Sequence, residues 1–408
     1  MIAVLTRIFG VHNLELAEDV VQEAFCRALE VWRFRGMPEN PSAWLMATAK
    51  NCALDALRRQ RTANSYAPEL GRLLESEWTM APTVEELFAS NASGGAINDD
   101  QLRMMFSCCH PRLPEEAQVA LILHILCGFS VDEIASAFVS SHAAIEKRIT
   151  RSKKVLAGSK RLFDLAAPAD FSSRLTAVQR ALYLLFNEGY HGASPESAVR
   201  ADLCREAMRL AAMLLQHPLG ATPASYALSA LMCLSTARLP ARLTAAGDLN
   251  ALFDQDRSLW DRELIEEGQQ LLNRSATGTK LSEYHIEAAL ASVHASARSV
   301  EDTDWGKIIS LYDTLTTLRP SPIVALNRAI AIAQRDGPAC GLEEIQAIAD
   351  LDRLKSYPFY PAALAELEFR LGHFAAARQH FAAARALARN PTERRFLDQR
   401  ISACDQSR

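Results

Sequence analysis

The sequence predicts an all-α protein with two small helical domains followed by a larger C-terminal array of helices. Apolar residues recur at helical spacing through nearly all of the 408 residues. The alternation typical of strands, with the short turns typical of hairpins, is hard to find. A capping signal and a concentrated run of positive charge then mark a short pair of helices between residues 128 and 156.

Composition limits the class of protein. Hydrophobic residues make up 49% and charged residues 23% of a chain that is long enough for two or three domains with their own cores. The sequence shows no apolar run of about 18 residues and no signal-peptide pattern, so we expect a cytoplasmic protein with no membrane contact. The nine cysteines form no CxxC pair, which favours reduced thiols over disulfides.

The net charge of −4 hides two opposite local charges. Residues 15–30 hold five acids and one arginine, whereas residues 141–161 hold seven basic residues and one acid. The basic segment is typical of a surface that binds a polyanion, and the acidic segment favours a basic protein partner. Charge alone leaves open a second interpretation, in which the basic segment is only a solvated helix in a bundle.

Two long helices are predicted at the N-terminus. In residues 16–32, two adjacent rows of apolar residues at i, i+4 spacing define an apolar face, and Gly36 with Pro38 ends the helix. The second helix covers residues 42–59. The chain from 61 to 98 has mixed character and finishes in a polar, glycine-rich stretch, which predicts a flexible linker.

The segment from 128 to 156 predicts a helix–turn–helix. Gly128 ends one helix, and Ser130 with Glu133 forms a capping box that begins the next. After a short connection, residues 142–156 form a helix that could present its outer face to the major groove of DNA. Basic side chains there bind phosphates, which fixes register, or guanine edges, which supplies specificity. The outer face carries His142, Glu146, Lys147, Arg151 and Lys154.

Three blocks in this order carry a family resemblance. They are AEDVVQEAFCRALEVW, NPSAWLMATAKNCALDALRR and the helix–turn–helix after a linker. They resemble regions two and four of bacterial RNA polymerase sigma factors of the extracytoplasmic-function type, over residues 1–160. DDQLRMMFSCCHPRLPEEAQVALILHI and the long C-terminal extension are similar to the subgroup with a fused tetratricopeptide-like domain. The resemblance implies region two at 1–62, a linker at 63–98, region four at 99–160 and a regulatory domain at 170–408.

The resemblance also implies three sets of functional residues. One set docks on the β′ clamp helices of the polymerase core: Asp19, Gln22, Glu23 and Phe25. A second set opens the promoter, with Asn51 helping to hold a flipped base: Trp44, Lys50, Asn51, Asp55, Arg58 and Arg59. A third set holds the distal promoter element: Lys147, Arg148, Arg151 and Lys153.

Some of these positions have a plain structural alternative or depart from the family. Trp44 is equally consistent with a core anchor, and Asp55 with a simple ion pair to a nearby arginine. Ala143 and Ala144 replace the threonine–valine pair common in other sigma factors, which bears on sequence preference and not on binding itself. Only about sixteen residues precede the docking motif, so the first helix of region two looks shortened.

The C-terminal half has the pattern of helical repeats. Small and aromatic residues fall at the spacing of a tetratricopeptide helix pair: Gly372, Phe374, Ala377, Phe381 and Ala384. Trp305, Ile308 and Tyr312 match the first helix of another such pair. Stacked helix pairs bury a continuous core and leave a concave face for a peptide or another domain.

Two short segments raise the question of a site. Cys108-Cys109-His110 lacks the usual zinc spacing, so we favour buried thiols over a metal site or a nucleophile, and we expect no metal and no cofactor. Near residue 190, four polar or aromatic side chains could line a ligand site, although a capped helix end is the simpler interpretation. They are Asn187, Glu188, Tyr190 and His191.

Two functions follow from these patterns, and neither is enzymatic. In the first, the chain is an initiation subunit that binds core polymerase, through the β′ clamp helices and the β subunit, and promoter DNA. In the second, it is a helix–turn–helix regulator or a repeat scaffold. The block at 42–61 separates them, because a conventional regulator has no use for single-strand contacts. We further expect the C-terminal domain to replace a separate anti-sigma protein by contacting the sigma domains or another regulator.

Overall fold

The computed structural model describes residues 1–63, 100–138, 140–158, 168–191, 199–244, 248–388 and 390–406. Over these ranges the chain is helical, with one isolated antiparallel bridge between Leu243 and Leu249. The all-α prediction is therefore confirmed. The chain divides into two compact units, Met1–Ala181 and Leu182–Arg408, each of which is considered by itself. All of the predicted linker after residue 63 falls outside the described ranges.

The first unit begins with three helices around a common core. These are α1 (Ile2–Phe9), α2 (Leu14–Arg35) and α3 (Pro41–Ala63). The first predicted apolar row of α2, which includes Val20, Ala24 and Ala28, is buried against α3 and α1. The helix ends at Gly36, whose φ of +77° is a backbone conformation that favours glycine.

The remaining helices of this unit contain the predicted helix–turn–helix. They are α4 (Asp100–Cys108), α5 (Glu115–Ile125), α6 (Val131–Ala137) and α7 (His142–Ala157). The backbone N–H of Ser130 donates to Glu133 at 2.8 Å, and the N–H of Glu133 donates to the Ser130 hydroxyl at 3.2 Å, which is the predicted capping box. Ile145 and Ile149 bury the inner face of α7, as the apolar spacing indicated.

The helix α8 (Pro168–His191) contributes to both compact units. In the first unit, the ring of Phe171 stacks on Phe106 with centroids 4.2 Å apart, and Arg174 donates to the Phe106 carbonyl oxygen at 2.8 Å. Phe186 and Tyr190 belong to the second unit. The division at residues 181 and 182 falls inside this helix, beyond the start of the C-terminal domain predicted at residue 170.

The second unit continues as a succession of helices, in which most neighbours in sequence pack together. They are α9 (Ala201–Gln216), α10 (Pro223–Thr236), α11 (Leu239–Arg242), α12 (Arg262–Ser275), α13 (Glu283–Ser296), α14 (Trp305–Leu318), α15 (Pro322–Asp336), α16 (Pro338–Gln346), α17 (Phe359–Arg370), α18 (Phe374–Leu387) and α19 (Pro391–Gln406). Among the described residues, no helix is both long and apolar enough to cross a membrane.

The predicted repeat positions lie in the cores of helix pairs. Ala377, Phe381 and Ala384 are buried where α18 packs against α17 and α19. Gly372 makes the turn before α18 with a φ of +80°. The small residues allow the helix backbones to approach, and the aromatic ring fills the space between them. Trp305, at the start of α14, packs on a separate core cluster of the same unit.

Candidate nucleic-acid and polymerase interface

One face of α2 presents the predicted docking residues to solvent. Asp19, Gln22 and Glu23 are exposed, and three or four residues of spacing places them on one side of the helix. Phe25 stands beside them with 49% of its surface exposed. Arg27, one helical turn after Glu23, donates a hydrogen bond of 2.7 Å to the Glu23 carboxylate. This pairing partly neutralises the negative charge of the face at Glu23.

In the second predicted apolar row of α2, only the first residue is buried in the core. Val21 is buried, but Phe25 is half exposed and Leu29 is 76% exposed. Phe25 and Leu29 stay exposed because α3 covers the side of α2 that carries Ala24 and Ala28. The result is a pair of exposed apolar side chains beside acidic ones on the same helix. Leu29 was missed as a functional candidate, although its spacing from Phe25 was a usable signal.

The outer face of α3 brings most of the predicted promoter-opening residues together. Asn51, Asp55, Arg58 and Arg59 are exposed, and their spacing of three, four and eight residues places them along one side of the helix. A guanidinium nitrogen of Arg58 lies 3.5 Å from an Asp55 carboxylate oxygen, as the ion-pair alternative proposed. Such an exposed pair contributes little to stability and leaves the cation accessible.

Trp44 and Lys50 lie off this exposed face. The ring of Trp44 packs edge-on against Trp32 with centroids 5.4 Å apart, and it borders the core shared by α2 and α3. This packing is what the core-anchor interpretation of Trp44 expects. Lys50 is partly buried next to Asn51. The half-buried indole can brace α3 while its remaining surface faces solvent.

The predicted cations of α7 divide into two groups. Lys147, Arg151 and Lys154 are exposed at i, i+4 and i+7, so they form one continuous basic stripe along the outer face. The other three contact acids within the protein. Arg148 lies 3.1 Å from Glu116, Lys153 lies 2.7 Å from Glu18, and His142 lies 2.6 Å from Asp132. The hydrogen bond that the His142 ring donates to the Asp132 carboxylate raises the pKa of His142 above its ordinary value.

The contact between Lys153 and Glu18 joins α7 to α2. Both side chains are mostly buried, with 16% and 14% of their surfaces exposed. A second ion pair, between Arg7 and Asp100 at 2.8 Å, joins α1 to α4. In this conformation the Lys153 ammonium is bound inside the protein, so it could contact DNA phosphate only after the pair separates.

Comparison with known proteins identifies the two parts of this unit. The model of Sigma-70 region 2 matches residues 1–63, and that of Sigma-70 region 4 matches residues 103–156. The probable RNA polymerase sigma factor RfaY of Xanthomonas campestris pv. campestris is 24% identical over 143 residues, covering 35% of this chain and 33% of that protein. The chain is a sigma factor of the extracytoplasmic-function type with an additional C-terminal domain.

The additional domain of the sigma factor also has relatives. A family of unknown function, DUF6596, matches residues 174–276. An uncharacterized protein of Rhizobium meliloti strain 1021 is 39% identical over 387 residues, which cover 94% of this chain and 89% of that protein, so the two belong to one family. No solved structure matches the sigma factor. The two sigma-70 regions belong to protein families that are not enzymes.

The Cys108-Cys109-His110 segment has the properties of a core segment. Burial raises the pKa of the Cys109 thiol to about 12 and that of Cys108 well above its ordinary value, so both stay protonated at neutral pH. No group of three metal-ligating side chains suited to a metal ion occurs within the described ranges. The buried-thiol interpretation accounts for these residues.

The segment ending α8 combines helix capping with unusual polar contacts. The Gly189 carbonyl oxygen accepts a hydrogen bond from the Arg200 N–H at 2.8 Å, as expected of a capped helix end. Tyr190 is buried, and the guanidinium of Arg242 covers its ring. The Cζ atom of Arg242 lies 4.3 Å from the centroid of the Tyr190 ring. The same guanidinium lies 3.2 Å from His191 Nδ1. Asn187 is partly buried and Glu188 is buried.

Proposed function

We propose that this sigma factor docks on the core polymerase through α2, opens the promoter through α3 and holds the distal promoter element through α7. The observation that carries the proposal is the division of surface chemistry among these three helices. The α2 face is acidic and apolar, the α3 face is polar and cationic, and the α7 face is cationic. Each chemistry suits a different surface of an initiation complex.

Docking through α2 is supported by its exposed apolar row. Phe25 and Leu29 expose large hydrophobic side chains next to Asp19 and Glu23. Burying them against the β′ clamp helices would remove apolar surface from water, and the carboxylates at the edge would select a basic partner. Contacts of region four with the β subunit belong to the same proposal.

Promoter opening by α3 is supported by the line of side chains from Asn51 to Arg59. Single-stranded DNA is bound by cations that follow its backbone and by groups that contact extruded bases. Arg58 and Arg59 supply the cations, and Asn51 supplies an amide that can pair with a base edge. The distal element is then held by phosphate and base contacts from Lys147 and Arg151 on α7.

The test is transcription in vitro from genomic fragments with sigma-free core polymerase. We expect new start sites with the wild-type protein and their loss, by about tenfold or more, in the double variant Arg58→Ala/Arg59→Ala, because one arginine contact to a base is worth about 1 to 3 kcal/mol. A matched control, Arg370→Ala/Arg378→Ala, removes two exposed arginines from the second unit and should leave region two unchanged. Permanganate footprinting would show whether the lost step is strand opening.

The opposite outcome has a clear meaning. If promoter fragments bind but neither the full chain nor residues 1–181 directs a specific start site, the docking and melting roles are wrong. A helix–turn–helix regulator would then describe the protein better. Equal activity of the Arg58/Arg59 variant and the wild type would remove α3 from promoter opening.

We also propose that the C-terminal domain regulates the sigma regions. Its size and its stacked helix pairs suit a surface that binds another protein segment or a small ligand. A fused domain of this kind could take the place of a separate anti-sigma protein. Removal of the chain after residue 181 tests this proposal, with transcription as the readout.

A further inference from the structure

The second unit contains a cluster of three arginines and two aromatic rings that its helical packing does not require. The arginine–aromatic cluster consists of Arg238 and Arg242 around α11, Arg257 and Trp260 before α12, and Tyr190 at the end of α8. Tyr190 and Trp260 are buried, with 5% and 3% of their surfaces exposed. All five residues lie within the stretch that matches the family of unknown function.

The aromatic rings cover faces of the guanidinium groups. The carbon of the Arg238 guanidinium lies 5.4 Å from the Trp260 ring centroid, and that of Arg257 lies 5.1 Å from it. Arg242 lies over Tyr190 at 4.3 Å. Stacking holds a guanidinium plane in a fixed orientation and leaves the N–H groups at its edge to bind a ligand.

The cluster has buried hydrogen-bond donors that no acceptor in the described structure satisfies. They are Nε of Arg238, Nε of Arg242, Nε of Arg257, Nε1 of Trp260 and the Tyr190 hydroxyl. Four of these groups can only donate. Buried donors without acceptors cost free energy unless a partner satisfies them, and the partner that fits them carries several acceptor oxygens.

The charge of the cluster is also uncompensated. Within the described ranges, neither Arg238 nor Arg242 forms an ion pair with a carboxylate, and Arg238 makes no side-chain hydrogen bond. Arg257 differs, because its guanidinium donates to the carbonyl oxygens of His294 and Ala297, and the carboxylates of Glu301 and Asp302 act on it favourably. Two positive charges therefore remain to be balanced.

His294 lies close enough to the cluster for two of its arginines to affect its pKa. Burial, together with Arg238 and Arg257, lowers the pKa of His294 to about 3, so its imidazole is neutral at physiological pH. The ring stands edge-on to Trp305, with centroids 5.6 Å apart. The neutral imidazole of His294 therefore neither adds to the positive charge of the arginines nor balances it.

We propose that the arginine–aromatic cluster binds a phosphoryl group, as inorganic phosphate or as the phosphate monoester of a small molecule. A phosphate monoester carries about −1.5 to −2 charges at pH 7 with three acceptor oxygens, which matches two uncompensated guanidinium groups. Arginine forks pair with such oxygens in parallel hydrogen bonds. The proposal goes beyond the sigma activity and is tested without polymerase.

The experiment is calorimetric titration of the full chain with inorganic phosphate, glycerol 1-phosphate and malonate in separate arms, at matched ionic strength. Saturable binding of phosphate is the expected result. The change Arg238→Met should weaken it about 10- to 100-fold, the usual effect of losing a hydrogen bond to a charged group. Tighter binding of the monoester would identify an organic phosphate as ligand, and binding of phosphate alone would identify the inorganic ion.

A matched control separates a ligand role from a structural one. Arg335→Met removes a guanidinium that pairs with Asp336 in the same unit, and phosphate binding should not change. Without phosphate, Arg238→Met should melt at or above the wild-type temperature, because an unpaired buried charge is removed. If that variant does not fold, Arg242→Gln replaces it, with the same expected loss of phosphate binding.

Three results would overturn the proposal. The first is no saturable heat with either phosphate compound at millimolar concentration. The second is malonate binding as tightly as phosphate, which would mean that the cluster does not select a phosphoryl group. The third is an Arg238→Met protein that folds and binds phosphate like the wild type, which would leave Arg238 without a ligand role.

Discussion

At the scale of single residues, the ion pair between Glu18 and Lys153 removes Lys153 from the accessible cations of α7. Its atoms lie 2.7 Å apart, with little solvent contact for either side chain. A mostly buried pair differs from an exposed one, because removal of one partner leaves the other charge without hydration or a counter-ion. The pair therefore stabilises the conformation in which α7 lies against region two.

The change Glu18→Gln tests this contribution. We expect the free energy of unfolding of the first unit to fall by about 1 to 3 kcal/mol, since a largely buried ammonium loses its charged acceptor. Urea denaturation followed by circular dichroism measures the change.

Glu23→Gln is the matched control on the same helix. It breaks the pair with Arg27, in which the side chains are 50% and 53% exposed. An exposed i, i+4 pair contributes about 0.3 to 0.5 kcal/mol, so the control should hardly move the urea midpoint. Equal effects of the two changes would show that Lys153 is hydrated and that the pair does not hold the two helices together.

At the scale of elements, α2 shows how one helix serves a core and a partner. The row that includes Val20 and Ala24 is packed against its neighbours, while the row that includes Phe25 and Leu29 is exposed. Periodicity in the sequence indicated both rows but could not show that α3 covers only one of them. The uncovered row is the part of α2 to which we assign polymerase docking in the proposed function.

The change Leu29→Ala should weaken binding to core polymerase by about fivefold or more, because truncation of an anchor residue at the centre of an interface costs more than about 1 kcal/mol. The stability of the sigma factor should change by less than about 0.5 kcal/mol, since the side chain is exposed. Fluorescence anisotropy with labelled protein and purified core polymerase measures the affinity.

Phe34→Ala is the control for this change. Phe34 is also a large exposed hydrophobe of α2, but five residues of helix place it about 140° around the axis from Leu29. Its removal should leave the affinity near the wild-type value. If Phe34→Ala weakens binding as much as Leu29→Ala does, the interface is not confined to the face that carries Phe25 and Leu29.

At the scale of the whole molecule, α8 sets where the chain can be cut. Phe171 is fully buried and stacks on Phe106 in the first unit, although it follows residue 170, where the sequence indicated the start of the C-terminal domain. A truncation meant to remove only the regulatory domain should therefore retain residues up to 181.

We expect a fragment of residues 1–165 to be less stable than a fragment of residues 1–181 by at least about 3 kcal/mol, the cost of losing a buried phenylalanine from a core. Urea denaturation of the two fragments measures the difference. Equal stability would show that the Phe171 contact is dispensable. Comparison of residues 1–181 with the full chain in transcription then tests regulation. This fragment keeps Phe171 stacked on Phe106, so a change in promoter output cannot be attributed to loss of that contact.

Much of this protein follows from local sequence. The caps at Gly36 and Ser130, the helical periodicity and the local charge counts predicted the helices, the helix–turn–helix and the contrast between α2 and α7, because each depends on residues within a few turns of one another. The order of the three sequence blocks then indicated the family. The proposed docking, promoter-opening and distal-element residues stay predictions.

Only the tertiary structure decided which side chains meet across long sequence separations. Glu18 and Lys153 are 135 residues apart, and Tyr190 lies far along the chain from Arg242 and from Trp260. Periodicity indicates that a helix has a face but not which neighbour covers it, and charge counts do not show which cation is paired. Burial and pairing depend on how the helices pack, and that packing placed Lys153 in an internal ion pair and left Arg238 without a counter-ion among the described residues.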